Sequence, residues 1–233
     1  MEAVILAAGK GTRMYSQLPK VLHTVGGKPM LAHVINSAKS AGAKNIHVVI
    51  GNDGEQIQDQ IRSFPIRSEV SWILQREQLG TAHAVQQAVP YLETNAHDDH
   101  ILVLYGDVPL IRADTLVELL ANTKTGSIGI LTLRAERPRG LGRILRDESS
   151  EIIGIVEEKD ASNLQKEIKE VNSGIMALPA DRLASWLGKI ENNNKQSEYY
   201  LTDIIKLAVS EKVAISSVVI SNEIEAQGVN DKS

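Results

Sequence analysis

Strands that are apolar along their whole length, alternating with segments of helical period, predict an α/β fold with a doubly wound, mostly parallel sheet. Two observations carry that expectation. Ala3–Ala8, Ile46–Ile50 and Ile101–Tyr105 are continuous apolar runs of strand length, as in strands covered on both faces. Each run stops abruptly in glycine and polar residues: Gly9-Lys10-Gly11-Thr12-Arg13, Gly51-Asn52-Asp53-Gly54 and Gly106-Asp107-Val108-Pro109.

Taken in order, Ala3–Ala8 is the first strand. Met30-Leu31, Val34-Ile35, Ala38 and Ala41 recur at helical spacing, and Gly42 closes that helix. Ile46–Ile50 is the second strand. A polar helix runs to about Phe64, and a short strand covers Val70–Leu74. Thr81–Val89 is helical and stops before Pro90, because proline cannot continue the backbone ladder. Ile101–Tyr105 is a strand, Asp114–Leu120 a helix and Ser127–Leu133 a strand. Beyond it lies a basic glycine-containing loop, Arg137–Arg143. Strands at Ile152–Val156 and Val171–Met176 then flank a polar helix, Ala161–Lys169. Pro179–Leu187 is helical, Asn192-Asn193-Asn194 is a loop, Leu201–Val209 is an amphipathic helix and Val213–Ile220 the last strand. No linker, repeat or low-complexity tract interrupts the pattern.

Composition excludes several function classes. The net charge of −4 gives no bulk electrostatic case for nucleic-acid binding. The absence of cysteine removes disulfides, thiolate nucleophiles and cysteine metal sites together. No stretch has the layout of a signal peptide or an apolar run of about 18 residues, so a cytoplasmic protein is expected, with no membrane partner. The six histidines show no metal-ligand spacing and read as structural or surface residues, and no Gly-x-Ser-x-Gly nucleophile turn is present.

The first strand ends in the most informative stretch. Small residues after a buried strand let backbone N–H groups approach an anion, with Lys10, Arg13 and Lys20 as countercharge. The alternative is a plain strand–turn in which these are ordinary solvated surface cations. Neither common phosphate motif fits. The dinucleotide fingerprint needs a small residue at Met14, and a P-loop needs its lysine after the second glycine, whereas Lys10 precedes Gly11. In open α/β sheets ligands sit beyond the carboxyl ends of the strands, where both Gly9–Arg13 and Gly106-Asp107 fall.

Other candidates keep two readings. Asp107 is a turn-former or a hard-cation ligand. In Gln75-Arg76-Glu77-Gln78-Leu79-Gly80-Thr81, Thr81 caps the following helix, or Gln75 or Gln78 reads a nucleobase edge with Gly80-Thr81 allowing close approach. Glu157 ends a strand in a charged run and either faces the cleft or is solvated. Tyr199-Tyr200 are core aromatics or part of a wall.

Leu6-Ala7-Ala8-Gly9-Lys10-Gly11-Thr12-Arg13-Met14 with Leu18-Pro19-Lys20 resembles the first motif of the sugar-1-phosphate nucleotidylyltransferases. Further segments narrow the resemblance: Glu77-Gln78-Leu79-Gly80-Thr81 after Gln75, Leu104-Tyr105-Gly106-Asp107-Val108-Pro109-Leu110, Gly140–Ile144, and Gly154–Asp160. Asn172-Ser173-Gly174-Ile175, Asn192–Asn194, Glu198–Asp203 and Gly228-Val229-Asn230 complete the series. In order and spacing they are similar to the uridylyltransferase domain of the bifunctional bacterial enzymes that make UDP-N-acetylglucosamine, over essentially the whole chain.

The resemblance implies a Rossmann-like sheet of the nucleotide-diphospho-sugar transferase type, with residues 1–230 as the catalytic domain and about 135–210 as a sugar-side extension. It implies transfer of UMP from UTP to N-acetylglucosamine 1-phosphate, giving UDP-N-acetylglucosamine and pyrophosphate. Leu6, Ala7, Ala8 and Gly9 would hold uridine with Gln75, Gly80 and Thr81. Arg13 and Lys20 would neutralise phosphates, and Asp107 and Asn230 would bind Mg²⁺. Tyr105, Gly142, Glu157 and Asn172 would contact the N-acetylglucosamine moiety, with Asn192–Tyr200 as a wall, and Gly106 would bind substrate beside Asp107. Departures from the family pattern fall at Leu141, usually aromatic, at Ala82-His83, often Gly-His, and at Ser173, usually Thr. No hexapeptide repeats of a left-handed β-helix are present, so acetyltransfer is not expected, and a monomer is expected rather than a trimer. The competing readings are a nucleotidylyltransferase for another nucleotide or sugar phosphate, and a non-catalytic nucleotide-sugar binding module.

Overall fold

The computed structural model describes residues 1–9, 16, 18–64, 70–93 and 99–229. Lys10, Arg13 and Asn230 therefore lie outside the described residues.

The chain enters directly into β1 (Glu2–Ala7), every residue of which is buried. A 3₁₀ turn at Lys20–Leu22 and a two-stranded ribbon, β2 (Thr24–Val25) with β3 (Lys28–Pro29), lead into α1 (Met30–Ser40). Next come β4 (Ile46–Ile50), α2 (Gly54–Arg62), β5 (Val70–Leu74), α3 (Thr81–Ala88), β6 (His100–Tyr105), α4 (Ala113–Ala121) and β7 (Ile128–Arg134). The later part contributes β8 (Arg143–Arg146), β9 (Ile152–Val156), α5 (Asn163–Lys166), β10 (Glu170–Pro179), α6 (Ala180–Leu187), α7 (Ile204–Ser210) and β11 (Ile215–Ile220).

The main sheet has the order β11-β7-β10-β6-β1-β4-β5, with the β8–β9 hairpin attached to β10. β1 pairs in parallel with β4 and β6, β4 with β5, and β7 with β11. Along that order β10 alone runs against its neighbours, β6 and β7, and the attached hairpin is antiparallel too, β8 with both β10 and β9. The sheet is thus mostly parallel, as expected, with one reversed strand inside it.

Alternation along β1 shows why both faces must be covered. Ala3, Ile5 and Ala7 enter one core with Leu31 and Ile35 of α1, Ile57 and Ile61 of α2, and Leu116 and Leu119 of α4. Val4, Leu6 and Ala8 enter the other with Val85 of α3, Trp186 of α6 and Ile205 of α7. Helices on both faces make the wound architecture, and each fully buried aliphatic side chain there contributes about 1.5–3 kcal/mol. This places the carboxyl ends of β1, β4, β5 and β6 side by side.

Three expectations need correction. Ala161–Lys169 is helical only over Asn163–Lys166, opened by a capping box in which Ser162 and Gln165 bond reciprocally. Leu201–Asp203 is a 3₁₀ turn before α7, so the amphipathic run is two elements rather than one helix. Arg143 belongs to β8, not to the preceding loop.

Candidate active site

The loops after the four adjacent parallel strands are knitted to one another by main-chain and amide contacts. Gly106 N–H donates to Leu6 O at 2.9 Å, tying the end of β6 to β1. A side chain at Gly106 would meet Ala7 Cβ at 3.2 Å, a tight fit where the two strand ends converge. Gln78 Nε2 donates to Ala8 O at 2.6 Å, bringing the post-β5 loop over β1. Leu6, Ala7 and Ala8 are buried, and Gly9 is exposed with open space where a side chain would stand.

Gln75 extends the β5 ladder by donating its N–H to Ile50 O at 2.8 Å, and its side chain is only 3% exposed. Its Nε2 donates to Gly80 O at 3.3 Å and lies 3.0 Å from His83 Nδ1. Gly80 has φ +122°, and a Cβ there would stand 2.5 Å from Tyr199 O, so this turn requires glycine twice over. Tyr199 N–H donates to Leu79 O at 2.8 Å and Ala82 N–H to Tyr199 O at 2.9 Å, closing a clasp around Gly80. Thr81 does not cap α3. The N-cap position is Gly80, without a side-chain cap bond, and Thr81 Oγ1 instead accepts from Leu201 N–H at 3.0 Å.

Tyr105 and Asp107 flank Gly106 at the end of β6. Asp107 Oδ2 forms an ion pair with Lys20 Nζ, and Asp107 O accepts from Val229 N–H at 3.0 Å. The Tyr105 hydroxyl is held well above the usual phenol range by burial first, then by the negative charges of Glu157 and Asp107, offset by a hydrogen bond with Thr81.

Beyond Tyr105, β10 carries a register shift between Asn172 and Met176. Such irregularities re-aim side chains beside sites. Gly174 lies within it at φ +89°, and its missing Cβ leaves room for the Tyr105 ring, which would otherwise stand 2.5 Å away. Asn172 is 7% exposed, accepts Gly174 N–H on Oδ1 at 3.0 Å, and donates its own N–H to Gly142 O at 2.9 Å. A side chain at Gly142 would meet Ile155 Cγ2 at 2.9 Å and the Glu157 carboxylate at 3.4 Å. Glu157 Oε1 accepts from Thr202 Oγ1 at 2.9 Å. Burial pushes the Glu157 carboxyl up, the Thr202 bond pulls it down, and Asp203, Asp160 and Glu198 push it up again. A cavity of about 370 Å³ opens beside Glu157, lined also by Asn194, Tyr200, Thr202 and Lys206. Burial, with Asp160 and Glu157, holds the Tyr200 phenol up at about 12.

The structure therefore brings together Leu6–Gly9, Gln75, Gly80 and Thr81 on one side, and Tyr105, Gly142, Glu157 and Asn172 on the other. Lys20, Gly106 and Asp107 are at the end of β6, the strand that bears Tyr105. Sequence reasoning missed three supports: His83 against Gln75, Thr202 on Glu157, and Arg143. The Arg143 guanidinium is 2% exposed, donates to Leu141 O, reaches Lys166 O at 3.4 Å and pairs with Glu158 at 2.6 Å. Each stood in a segment that the resemblance quotes, Thr202 in Glu198–Asp203, Arg143 in Gly140–Ile144 and His83 in Ala82-His83, but without a role assigned to it. Among the described residues, no group of three His, Cys, Asp or Glu side chains could hold a metal by itself. No described helix is long and apolar enough to cross a membrane.

Comparison with known proteins identifies the family and the fold. The model of the MobA-like NTP transferase domain matches residues 3–171. The bifunctional protein GlmU of Pseudomonas putida strain GB-1 is 49% identical over 232 residues, covering 100% of this chain and 49% of that protein. The bifunctional GlmU proteins of strains F1 and KT2440 match with the same identity and coverage. The chain thus spans about half the length of the curated relatives it matches. Among solved structures, UDP-glucose pyrophosphorylase complexed with UDP-glucose superposes with a TM-score of 0.76 at 18% identity, over 93% of this chain and 89% of that one, a likeness of fold. With a family model matching most of its length and the strand-end site assembled as described, the chain belongs to the MobA-like NTP transferase domain family.

Proposed function

We propose that the chain is a uridylyltransferase that joins UTP and N-acetylglucosamine 1-phosphate into UDP-N-acetylglucosamine with release of pyrophosphate. The observation that carries this is a chain of hydrogen bonds from the Gln75–Thr81 segment to Glu157: Tyr199 N–H donates to Leu79 O at 2.8 Å, Leu201 N–H to Thr81 Oγ1 at 3.0 Å, and Thr202 Oγ1 to Glu157 Oε1 at 2.9 Å. The full-length 49% identity to bifunctional GlmU proteins supports the same reading. Residues 1–230 act as the transfer domain, with about 135–210 as the sugar-side extension, working as a monomer in the cytoplasm.

The sugar phosphate is already an ionised oxygen nucleophile, so its attack on the α-phosphorus of UTP needs neither a general base nor a covalent enzyme intermediate. A bond forms from the sugar-phosphate oxygen to the α-phosphorus while the bond to the β-phosphate oxygen breaks, and pyrophosphate leaves with the electron pair. The protein's task is alignment and charge stabilisation. Lys20 and Arg13 offset the crowded phosphate charge, each contact of this kind contributing about 3 kcal/mol. Leu6–Gly9, Gln75, Gly80 and Thr81 hold the uridine. Tyr105, Gly106, Gly142, Glu157 and Asn172 hold the sugar phosphate.

Asp107 offers a hard carboxylate oxygen beside Lys20, and with Asn230 it would hold Mg²⁺. One carboxylate and one amide suit that ion, which normally keeps waters and takes substrate phosphates rather than an all-protein cage. When bound, it supplies Lewis-acid stabilisation of the phosphates.

Calorimetric titration with UDP and with UDP-N-acetylglucosamine tests the two-sided site. Glu157→Ala and Asn172→Ala should weaken UDP-N-acetylglucosamine and leave UDP unchanged. Equal losses for both ligands would contradict the sugar-side assignment.

A further inference from the structure

Gln75 is a nearly buried amide whose two ends are chemically opposite, so its orientation decides which nucleobase edge it can read. Its nitrogen end is fully committed. Nε2 carries two hydrogens, and two acceptors stand within reach: Gly80 O at 3.3 Å and His83 Nδ1 at 3.0 Å. No described residue donates to its Oε1, which is left as an acceptor.

Gly80 O alone is a weak anchor. The contact is long, and the same carbonyl already accepts Ala84 N–H at 3.1 Å. His83 decides the matter through its tautomer. With the ring proton on Nε2, Nδ1 is a lone-pair acceptor for Gln75. With the proton on Nδ1, two donors would face each other across 3.0 Å, and relief would require turning the Gln75 oxygen onto the Gly80 carbonyl. The carbonyl forbids that, so the Nε2–H form is selected. The Gln87 amide nitrogen lies 3.2 Å from Nε2 and donates to His83 O at 3.2 Å, but Gln87 is half-exposed on α3 and can swing toward solvent, leaving the Nε2 proton to be hydrated, whereas the nearly buried Gln75 cannot.

We propose that His83 is a positioning residue for base selection, its Nδ1 locking the Gln75 amide so that Oε1 meets an N–H donor on the base. This deepens the uridylyltransferase reading and rests on it. Uracil presents N3–H at that edge, whereas cytosine presents a bare N3 acceptor that would oppose Oε1. His83 thus acts on the base through Gln75, rather than belonging to the structural or surface histidines that sequence alone suggests.

The test is the ratio of kcat/KM for UTP to that for CTP in the wild type, His83→Ala and His83→Asn, together with the His83 tautomer read by ¹H–¹⁵N NMR. His83→Ala should lower the UTP preference by about tenfold or more, through KM for UTP rather than kcat. His83→Asn, whose Oδ1 can stand where Nδ1 stands, should restore much of it. NMR should show the Nε2–H tautomer. An unchanged ratio in His83→Ala with UTP turnover intact, or an Nδ1–H tautomer in the folded wild type, would overturn the proposal alone. Should His83→Ala not fold, the Asn variant and the tautomer still decide. Failure of the wild type to turn over either nucleotide would instead overturn the uridylyltransferase reading, and this proposal with it.

Discussion

Lys20 Nζ and Asp107 Oδ2 form an ion pair across 87 residues of sequence, fastening the turn after β1 to the end of β6. Lys20 is held there because Val21 and Leu22 of its 3₁₀ turn are buried. Asp107 is held because its carbonyl takes Val229 N–H and the preceding Gly106 N–H reaches Leu6 O. A carboxylate and an ammonium fixed in this way are placed before any substrate arrives, which is what charge stabilisation of phosphoryl transfer requires.

Asp107→Asn preserves size and one oxygen but removes the charge. We expect turnover to fall by about a hundredfold or more while the urea unfolding midpoint changes little. Pyrophosphate release, measured beside urea denaturation, separates the two effects. Wild-type turnover in this variant would remove Asp107 from the site.

Gly80→Ala should damage both fold and site. The backbone there is at φ +122°, and the new Cβ would stand 2.5 Å from Tyr199 O and 2.7 Å from Tyr199 N. Opening the Leu79–Tyr199 clasp to relieve this should cost about 2 kcal/mol or more. Chemical denaturation would register the loss, and calorimetry with UDP should show weaker binding.

Glu157 makes stability depend on pH. Its carboxyl is raised in the folded protein, chiefly by burial, so the native state binds that proton more tightly than the unfolded chain does. The associated stability is present below the unfolded carboxylate pKa of about 4.3 and is lost as pH rises through the raised folded value. Glu157→Gln keeps an oxygen for Thr202 Oγ1 without the charge. It should flatten the stability profile in that window and be more stable than the wild type above it. Parallel profiles for the two proteins in urea titrations would contradict this.

Arg143→Met leaves Leu141 O and Lys166 O without their donor and Glu158 without its partner. Because Glu158 is 30% exposed and can be solvated, a loss of about 2 kcal/mol is expected, less than for a fully buried pair. The Leu141-Gly142 turn should loosen with it, raising KM for the sugar phosphate more than for UTP.

The sheet and its strand ends were legible because β1, β4 and β6 are continuous apolar runs that stop at glycine, and burial on both faces permits little else. The reversal of β10 was not legible. A buried strand has the same composition whichever way it runs, and its direction follows from the β8–β9 hairpin that pairs with it. Gln75, Gly80, Asp107 and Glu157 could be singled out by their positions at element ends. Their supports could not, since His83, Thr202 and Arg143 act across turns or between elements distant in sequence. Thr81 shows the limit of local rules: its type and position suit a helix cap, yet the clasp at Tyr199 draws Leu201 N–H onto its hydroxyl.

The most direct measurement of the central claim is pyrophosphate release with each pairing of UTP or CTP and N-acetylglucosamine 1-phosphate or glucose 1-phosphate, with and without Mg²⁺. We expect rapid release only with UTP, N-acetylglucosamine 1-phosphate and Mg²⁺ together. Release that is indifferent to the sugar phosphate or to the metal, or none with that combination, would contradict the account of the site given above.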